Sequence, residues 1–495
     1  MSANPFDIPE VLRHIQEYLP TSSLATCLRV CRQWHAVILP FVWEDVRYSS
    51  SPPMPAAVQK HAHLIRTLQL YEITPQTAPT FFCSDVALSR LKRLEVEAAE
   101  RSIAEAITTL LQQSSTLVHI TVTRINKDLQ IPLLNAIADH PTPLLSLNFR
   151  GSTLNLLSWQ SLWRACTRVE NLTLEELLTF EDTSPTTDPR CEFGTLDFSR
   201  IKNLALSYLG VPDSSQLSLV ARCNQLESLK WDPDLDWILS PTSSPAIQLT
   251  DLVPTGCWRH IRRLHWNTDE AEIKDEDLAT ILNSINVAHD GSSMLDGGAQ
   301  LQELMLTPQG FGRHSMQALE RHFSTLTHFR VGPRFRSSPS PRFVSEATQR
   351  ILASCPHLVE FHGSLFWSGD LLEGEFARPW ACSARLKAIT LRVAIDAATE
   401  EQRGLHNRAV LAQLGKMTSL EALDLSATSL DVLPGSPKVR ELSLRLEHGL
   451  GSLRGLNKLV RVDFVDANDF DEEEREWVAL HFQGVKYTWA RHAMH

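Results

Sequence analysis

Seven side chains in the middle of the chain have types and spacing that could do chemistry: Arg263, His265, Glu303, His328, Arg330, Glu360 and His362. Imidazoles can ligate metal or carry protons near neutral pH, and guanidinium groups hold carboxylates and phosphates in a planar fork. All seven sit in stretches where apolar and polar residues alternate: "HIRRLHW", "QLQELML", "TLTHFRV" and "HLVEFHG". The histidines come from separate stretches without the tight spacing of a metal motif, so they read as solvated polar groups of one binding face, with no metal or other cofactor. There is no Gly-rich phosphate loop, HExxH or GxSxG, and "GSSMLDGG" reads as a flexible loop, so the chain reads as non-catalytic.

Such a face needs elements to build it, and these four stretches belong to a longer series. From residue 64 the pattern apolar, any two, apolar, any one, apolar recurs. Its first apolar positions are Ile65, Leu91, Leu117, Leu144, Val169, Ile201, Leu226, Ile261, Leu301, Leu326, Leu358, Leu386, Leu420, Val439, Leu459 and Phe482. Seven of the fifteen steps are 25 to 28 residues, with longer ones where loops intrude and shorter ones of 19 to 23 at the end. That period predicts one strand per unit with a returning helix or irregular segment, each unit burying its apolar face only by stacking on its neighbours. "RSIAEAITTLLQQSSTL" and "HSMQALERHFSTL" show the helical return. Longer steps place insertions at 181–193, 232–251, 267–298 and 332–343, rich in turn formers.

Side chains alternate along a strand, so the residues between the apolar ones form polar rows on the opposite face. The rows run from Thr67, Gln69 and Tyr71 to Arg461, Asp463 and Val465, with acids and bases mixed, which suits a specific protein surface better than a polyanion. The seven residues above make its densest charged cluster and are the expected partner-binding site.

The first fifty residues read differently. Asp7 stands three before Glu10 as in a capping box, Pro9 suits a first helical position, and Leu12, Ile15 and Leu19 recur at helical spacing up to Pro20. "TSSLATCLRVCRQWHAVILP" restarts the pattern, with Leu24, Cys27, Leu28 and Cys31 on one face and Val30, Trp34, Val37 and Ile38 on another. Cys27 and Cys31 then sit four apart on a helix, as buried thiols rather than metal ligands. A unit this small buries too little surface to stand comfortably alone, which leaves apolar side chains for a partner.

"DIPEVLRHIQEYLP", "LATCLRVCRQW" and "FVW" resemble an F-box, and the "LxxLxL" period resembles the leucine-rich repeat. The regular Asn that follows the repeat core in many such proteins is absent. The combination resembles an F-box protein with leucine-rich repeats, of a divergent kind often met in fungi. The resemblance implies an α/β fold: a three-helix F-box over 4–47, a Pro/Ser-rich hinge over 48–59, and over 60–495 a horseshoe solenoid of about sixteen units. Parallel strands would line its concave face, with helices or irregular segments on the convex one.

The resemblance also implies the substrate receptor of a Skp–cullin–F-box ubiquitin ligase. Pro9, Leu12, Ile15, Leu19, Leu24, Val30, Cys31, Trp34 and Trp43 would make or support the contact with a Skp-type adaptor, and through it a cullin–RING ligase. The repeats would hold an unknown protein substrate. The competing reading is a leucine-rich-repeat scaffold or small-GTPase regulator without a ubiquitin role, the helical unit then being a packing cap.

Composition agrees with both. The net charge is 47 − 58 = −11, which disfavours a nucleic-acid binder. Nine scattered cysteines read as reduced thiols. Without a leader-like start or a run of about 18 apolar residues, the expected location is cytoplasmic or nuclear, away from membranes. "NLT" at Asn171 lies inside an expected strand and reads as an accidental glycosylation match. The acidic run "DANDFDEEEREW" reads as the start of a final helix.

Overall fold

The computed structural model describes residues 9–48, 54–71, 88–97, 104–179, 193–211, 213–232, 249–267, 274–285, 301–307, 311–331, 341–363, 366–372, 379–425, 440–465 and 470–490. The chain divides into two compact units, Met1–Gln225 and Leu226–His495.

The first unit opens with helices α1 (Pro9–Gln16), α2 (Thr21–Cys27) and α3 (Arg32–Val42). Each contributes one buried apolar side chain, Leu12, Leu24 and Ile38. The expected Asp7 cap lies outside the described residues. The cysteine pair does not share a helix. Arg29 N–H and Val30 N–H donate to the carbonyls of Thr26 and Cys27 at 3.0 and 3.1 Å, closing α2 with tight i to i−3 bonds. Cys31 then becomes the N-cap of α3, its Sγ accepting from Trp34 N–H at 3.5 Å.

The chain continues through β1 (Asp45–Tyr48), α4 (Pro55–His61), β2 (Thr67–Tyr71), β3 (Arg93–Glu97), α5 (Ala104–Gln113), β4 (His119–Thr123) and α6 (Lys127–Ala138). It goes on with β5 (Leu144–Leu154), α7 (Leu156–Cys166), β6 (Val169–Thr179), β7 (Asn203–Leu209) and α8 (Asp213–Arg222). Strands β1 to β7 pair in parallel in chain order. Strand β1 was not expected, and the boundary at residue 47 runs through it. The expected hinge over 48–59 is also corrected: Pro55 takes a first helical position, and Ala56, Ala57, Gln59 and Lys60 are good helix formers, so α4 starts there.

Past the third polar position, Arg124, Gly151, Glu176 and Tyr208 all have positive φ, at 51°, 63°, 54° and 55°. The register aligns them on β4 to β7, since Arg150 pairs with Thr123 and Glu175, and Glu175 with Ser207. The same left-handed kink is therefore repeated four times, just past β4 and within β5, β6 and β7, three of them at non-glycine residues where it costs about 1 kcal/mol each.

The second unit carries β8 (Ser228–Asp232), β9 (Arg263–Asn267), α9 (Asp275–Ser284), β10 (Glu303–Thr307), α10 (Arg313–Leu319), β11 (His328–Val331), α11 (Pro341–Ser354) and β12 (Glu360–His362). Then come β13 (Phe366–Trp367), α12 (Ser368–Leu372), β14 (Ala388–Thr390), β15 (Val393–Ile395), α13 (Glu400–Leu414), β16 (Ala422–Asp424), β17 (Arg440–Glu441), β18 (Arg461–Val465), α14 (Glu472–His481) and β19 (Lys486–Ala490). One parallel sheet runs β8, β9, β10, β11, β12, β14, β16, β18, β19. Beneath it Leu229, Leu264, Leu304, Phe329, Phe361, Ile389, Leu423 and Val462 form a fully buried line. Each such side chain contributes about 1.5–3 kcal/mol on leaving water.

Two expectations fail in this unit. The insertion read over 267–298 contains α9, whose Leu278, Ile281 and Leu282 are buried at helical spacing. The "KVRELSL" phrase does not add a strand to the main sheet. Val439 lies outside the described residues, and β17 pairs antiparallel with β15, which pairs parallel with β13, in a separate three-stranded sheet. Strand β16 instead pairs directly with β18, whose return stroke supplies the next apolar entry, Leu459. Of the other insertions, 181–192, 233–248 and 332–340 lie outside the described residues.

Threonine hydroxyls join consecutive repeats where an Asn ladder is missing. Thr116 Oγ1 donates to the carbonyl of Leu91 at 2.8 Å and Thr325 Oγ1 to that of Leu301 at 3.0 Å. Helices are linked too: the Asp275 carboxylate, at the start of α9, accepts from Gly312 N–H (2.9 Å), His314 N–H (2.9 Å) and Ser315 N–H (2.8 Å), and so caps α10 of the next repeat. The acidic run near the end does start a helix: Asp471 and Glu474 form a capping box on α14.

Candidate functional site

Two surfaces gather the residues singled out in the sequence. The first is the helical module of the first unit. Leu12 and Leu24 are buried in it, so they shape the module rather than face outward. Pro9, Ile15, Leu19 and Trp34 are half-buried. Trp43 caps the end of α3 and stacks on His61 of α4 at 4.8 Å, which ties the module to the strands that follow. Val30, 61% exposed, and Cys31 occupy the open turn between α2 and α3. Tyr18, just past α1, is 75% exposed, with its ring edge-on to His14 at 5.3 Å. Sequence reading missed Tyr18 because it falls off the periodic apolar positions of α1.

The second surface is the polar face of the sheet in the second unit. Strand register places Arg263, Glu303, His328 and Glu360 in one row. A parallel row runs Lys230, His265, Met305, Arg330, His362, Thr390, Asp424, Asp463. All seven expected residues therefore lie on adjacent strands of one face. Their apolar neighbours Leu264, Leu304, Phe329 and Phe361 are buried on the other side, and Phe329 stacks on Phe361 at 5.6 Å.

Within the face Glu303, Asp424 and Asp463 are held by neutral or cationic partners. Glu303 accepts from His265 Nε2 at 3.2 Å, and His328 Nδ1 stands 3.8 Å from its other oxygen. His362 Nδ1 is 2.9 Å from Thr390 Oγ1, which donates to Asp424 at 3.5 Å. Asp463 is paired with Arg461 at 2.6 Å. Thr390 and Asp424 were not among the expected site residues, because only the register shows that they continue the row. Burial lowers the pKa of His265, and the charges of Arg263 and Lys230 add to this against the pull of Glu303. Burial and the neighbouring Arg330 lower that of His362. Both imidazoles are therefore held towards the neutral form.

Cysteine chemistry is unfavourable in the repeats. Cys166, Cys223, Cys257, Cys355 and Cys382 are buried free thiols three or four residues before a strand-entering apolar residue. Burial pushes the thiol of Cys257 up to about 11 and that of Cys382 up to about 12, so neither supplies a thiolate nucleophile. Among the described residues, no group of three or more His, Cys, Asp and Glu side chains is placed to hold a metal ion. No helix among them is long and apolar enough to cross a membrane.

Parallel strands in chain order, a recurring LxxLxL core and helical returns define a leucine-rich-repeat fold behind a three-helix module. Residues 9–49 match the F-box-like family, so the chain joins an F-box-like domain to leucine-rich repeats. No curated protein is significantly similar to it in sequence. Among solved structures it is similar to the complex of Rad7 and Elc1 in yeast, at 15% identity over 98% of either chain and a TM-score of 0.45. It is also similar to the TLR13–ssRNA13 complex, at 13% identity over 82% of this chain and 50% of that one, TM-score 0.41. An internalin from Listeria monocytogenes is 11% identical over 87% of this chain and 88% of its own, TM-score 0.34. The assignment rests on residues 9–49 and on the chain's own repeats.

Proposed function

We propose that the protein is the substrate-recognition subunit of a Skp–cullin–F-box ubiquitin ligase. The observation that carries this is the F-box-like match over residues 9–49 together with two large apolar side chains of that module, Tyr18 and Val30, that stay exposed. Isolated exposed apolar side chains are ordinary, but two large ones on one small helical module favour a docking surface. On this reading Ile15, Leu19, Cys31 and Trp34 belong to the same docking surface, while Pro9, Leu12, Leu24 and Trp43 give the module its shape.

On this reading a Skp-type adaptor covers these side chains and links the chain to a cullin–RING ligase. The face built from Arg263, His265, Glu303, His328, Arg330, Glu360 and His362 holds the protein substrate. The chain contributes no catalytic group. It works by proximity, turning transfer of ubiquitin to a substrate lysine into a nearly intramolecular step. The site of action is the cytoplasm or nucleus, where such ligases work.

Co-purification of the full chain with a Skp-type adaptor tests the first half of the proposal. Val30→Asp with Tyr18→Asp should abolish it and leave the repeats folded. Removing residues 1–47 is a poorer test, because it cuts β1 and bares the edge of β2. Failure of the unaltered chain to bind the adaptor would leave the scaffold reading in its place.

A further inference from the structure

On the face described above, four of the acids are occupied and two of the cations are spare. Glu303 is held by His265 and His328, Asp463 by Arg461, and Asp424 accepts from Thr390. Asp232, on β8, accepts from Asn267 Nδ2 at 2.9 Å. Lys230 and Arg330 are exposed, and among the described residues neither forms an ion pair. The row through Lys230 and Arg330 has its own carboxylates, Asp424 and Asp463, already held while these two cations are not, so it is complementary to anionic groups.

The spacing is informative. Lys230, His265, Met305 and Arg330 are consecutive register partners on β8, β9, β10 and β11. Neighbouring strands lie roughly 4.8 Å apart, so Lys230 and Arg330 stand about 14 Å apart across three strand steps. An extended chain repeats its same-side residues about every 6.8 Å, so residues i and i+4 are also about 14 Å apart. The side chain at i+2 then falls over His265 and the half-buried thioether of Met305, the one apolar surface in this part of the row.

We propose that this face takes an extended protein segment lying across the strands, with anionic side chains at positions i and i+4 on Lys230 and Arg330 and an apolar side chain at i+2 on Met305. The anion is a carboxylate or a phosphoryl group, which share the chemistry that Lys and Arg recognise. The assignment deepens the proposed substrate site and rests on it. It makes no use of the adaptor surface.

The test is fluorescence anisotropy of labelled short peptides against the full-length protein at low ionic strength. The first has Glu at i and i+4 around Val at i+2. Three others are its isomer with Glu at i and i+1, and the i, i+4 peptides with phosphoserine or with Lys in place of both Glu. The i, i+4 acidic peptide should bind about twofold or more tightly than its i, i+1 isomer, the worth of the one partly exposed charge pair that the isomer cannot make, at about 0.5 kcal/mol. Lys230→Glu with Arg330→Glu should transfer the preference to the Lys peptide. A still tighter phosphoserine peptide assigns the anion to phosphorylated residues and supports the proposal. Equal binding of the two Glu isomers, tighter binding of the Lys peptide by the unaltered protein, or a preference untouched by the double reversal would each overturn it. If the isomers bind equally while charge reversal still abolishes capture of a cellular partner, the spacing falls and the surface stands. If reversal leaves capture intact, the surface itself falls.

Discussion

Glu303 on β10 accepts a hydrogen bond from His265 on β9 at 3.2 Å, while His328 on β11 approaches its second oxygen at 3.8 Å. One carboxylate is thus shared by two imidazoles from strands on either side. The clamp fixes the acid in the row and engages both of its oxygens, and Lys230 and Arg330 stand on the same face without an ion pair among the described residues. Charge reversal at Arg263 and Arg330 is expected to abolish partner capture with the folding midpoint unchanged to within about 0.5 kcal/mol, as for other exposed positions. Pull-down combined with urea denaturation checks both halves.

The buried side of the same strands should behave in the opposite way. Phe329 precedes Arg330, is almost fully buried and stacks on Phe361. Truncation by Phe329→Ala should cost about 3–5 kcal/mol, against near zero for Arg330→Glu. Equal costs for the two neighbours would contradict the alternation of core and face.

Stability should fall with acid. Burial depresses the pKa of His265, His362 and His322 in the folded chain. The unfolded chain therefore binds more protons near pH 6, and stability rises with pH there. The contribution of these histidines is fully present above the unfolded value of about 6.5 and is lost as pH drops through their lower folded values. Urea midpoints measured from about pH 7.5 down to about 5.5 should decline, and His322→Gln should flatten the decline. A midpoint constant over that range in the unaltered protein would contradict the account.

Asp275 offers a test of how repeats are joined. Burial raises its pKa, but the hydrogen bonds from Ser315 and His314 more than offset this and hold the carboxyl below the usual range. Asp275→Ala removes the cap of α10 and should cost about 1–2 kcal/mol, at the upper end for a capping residue because three backbone N–H groups lose their acceptor. Asp275→Asn should recover part of it. Urea midpoints of the two variants decide the matter.

Much of the fold is legible in the sequence because each repeat states its own core. Ile65, Leu91 and Leu117 mark strand entries wherever three apolar residues recur at the right spacing, and parallel pairing without a register shift then aligns the polar rows. Strand β1 escaped because "DVRY" has only Val46 and Tyr48 facing inward and follows a helical module directly. Helix α9 escaped because polar runs on both sides made residues 267–298 look like a loop throughout. "KVRELSL" misled because the phrase is right for a repeat strand, while pairing to β15 is decided by tertiary contacts. In the candidate site the composition was legible and the division of labour was not. Which acids are occupied depends on side-chain reach between strands, as between His265 and Glu303, and no periodicity encodes that.

The central claim is that residues 9–49 dock the chain on a Skp-type adaptor. The most direct measurement is isothermal titration of the purified adaptor into the full-length protein, beside the Val30→Asp and Tyr18→Asp double variant. The account predicts a one-to-one complex for the unaltered chain and a loss of at least about 100-fold in affinity for the variant, the effect of placing charges at the centre of an apolar contact. No binding by the unaltered chain, or equal binding by the variant, would contradict it.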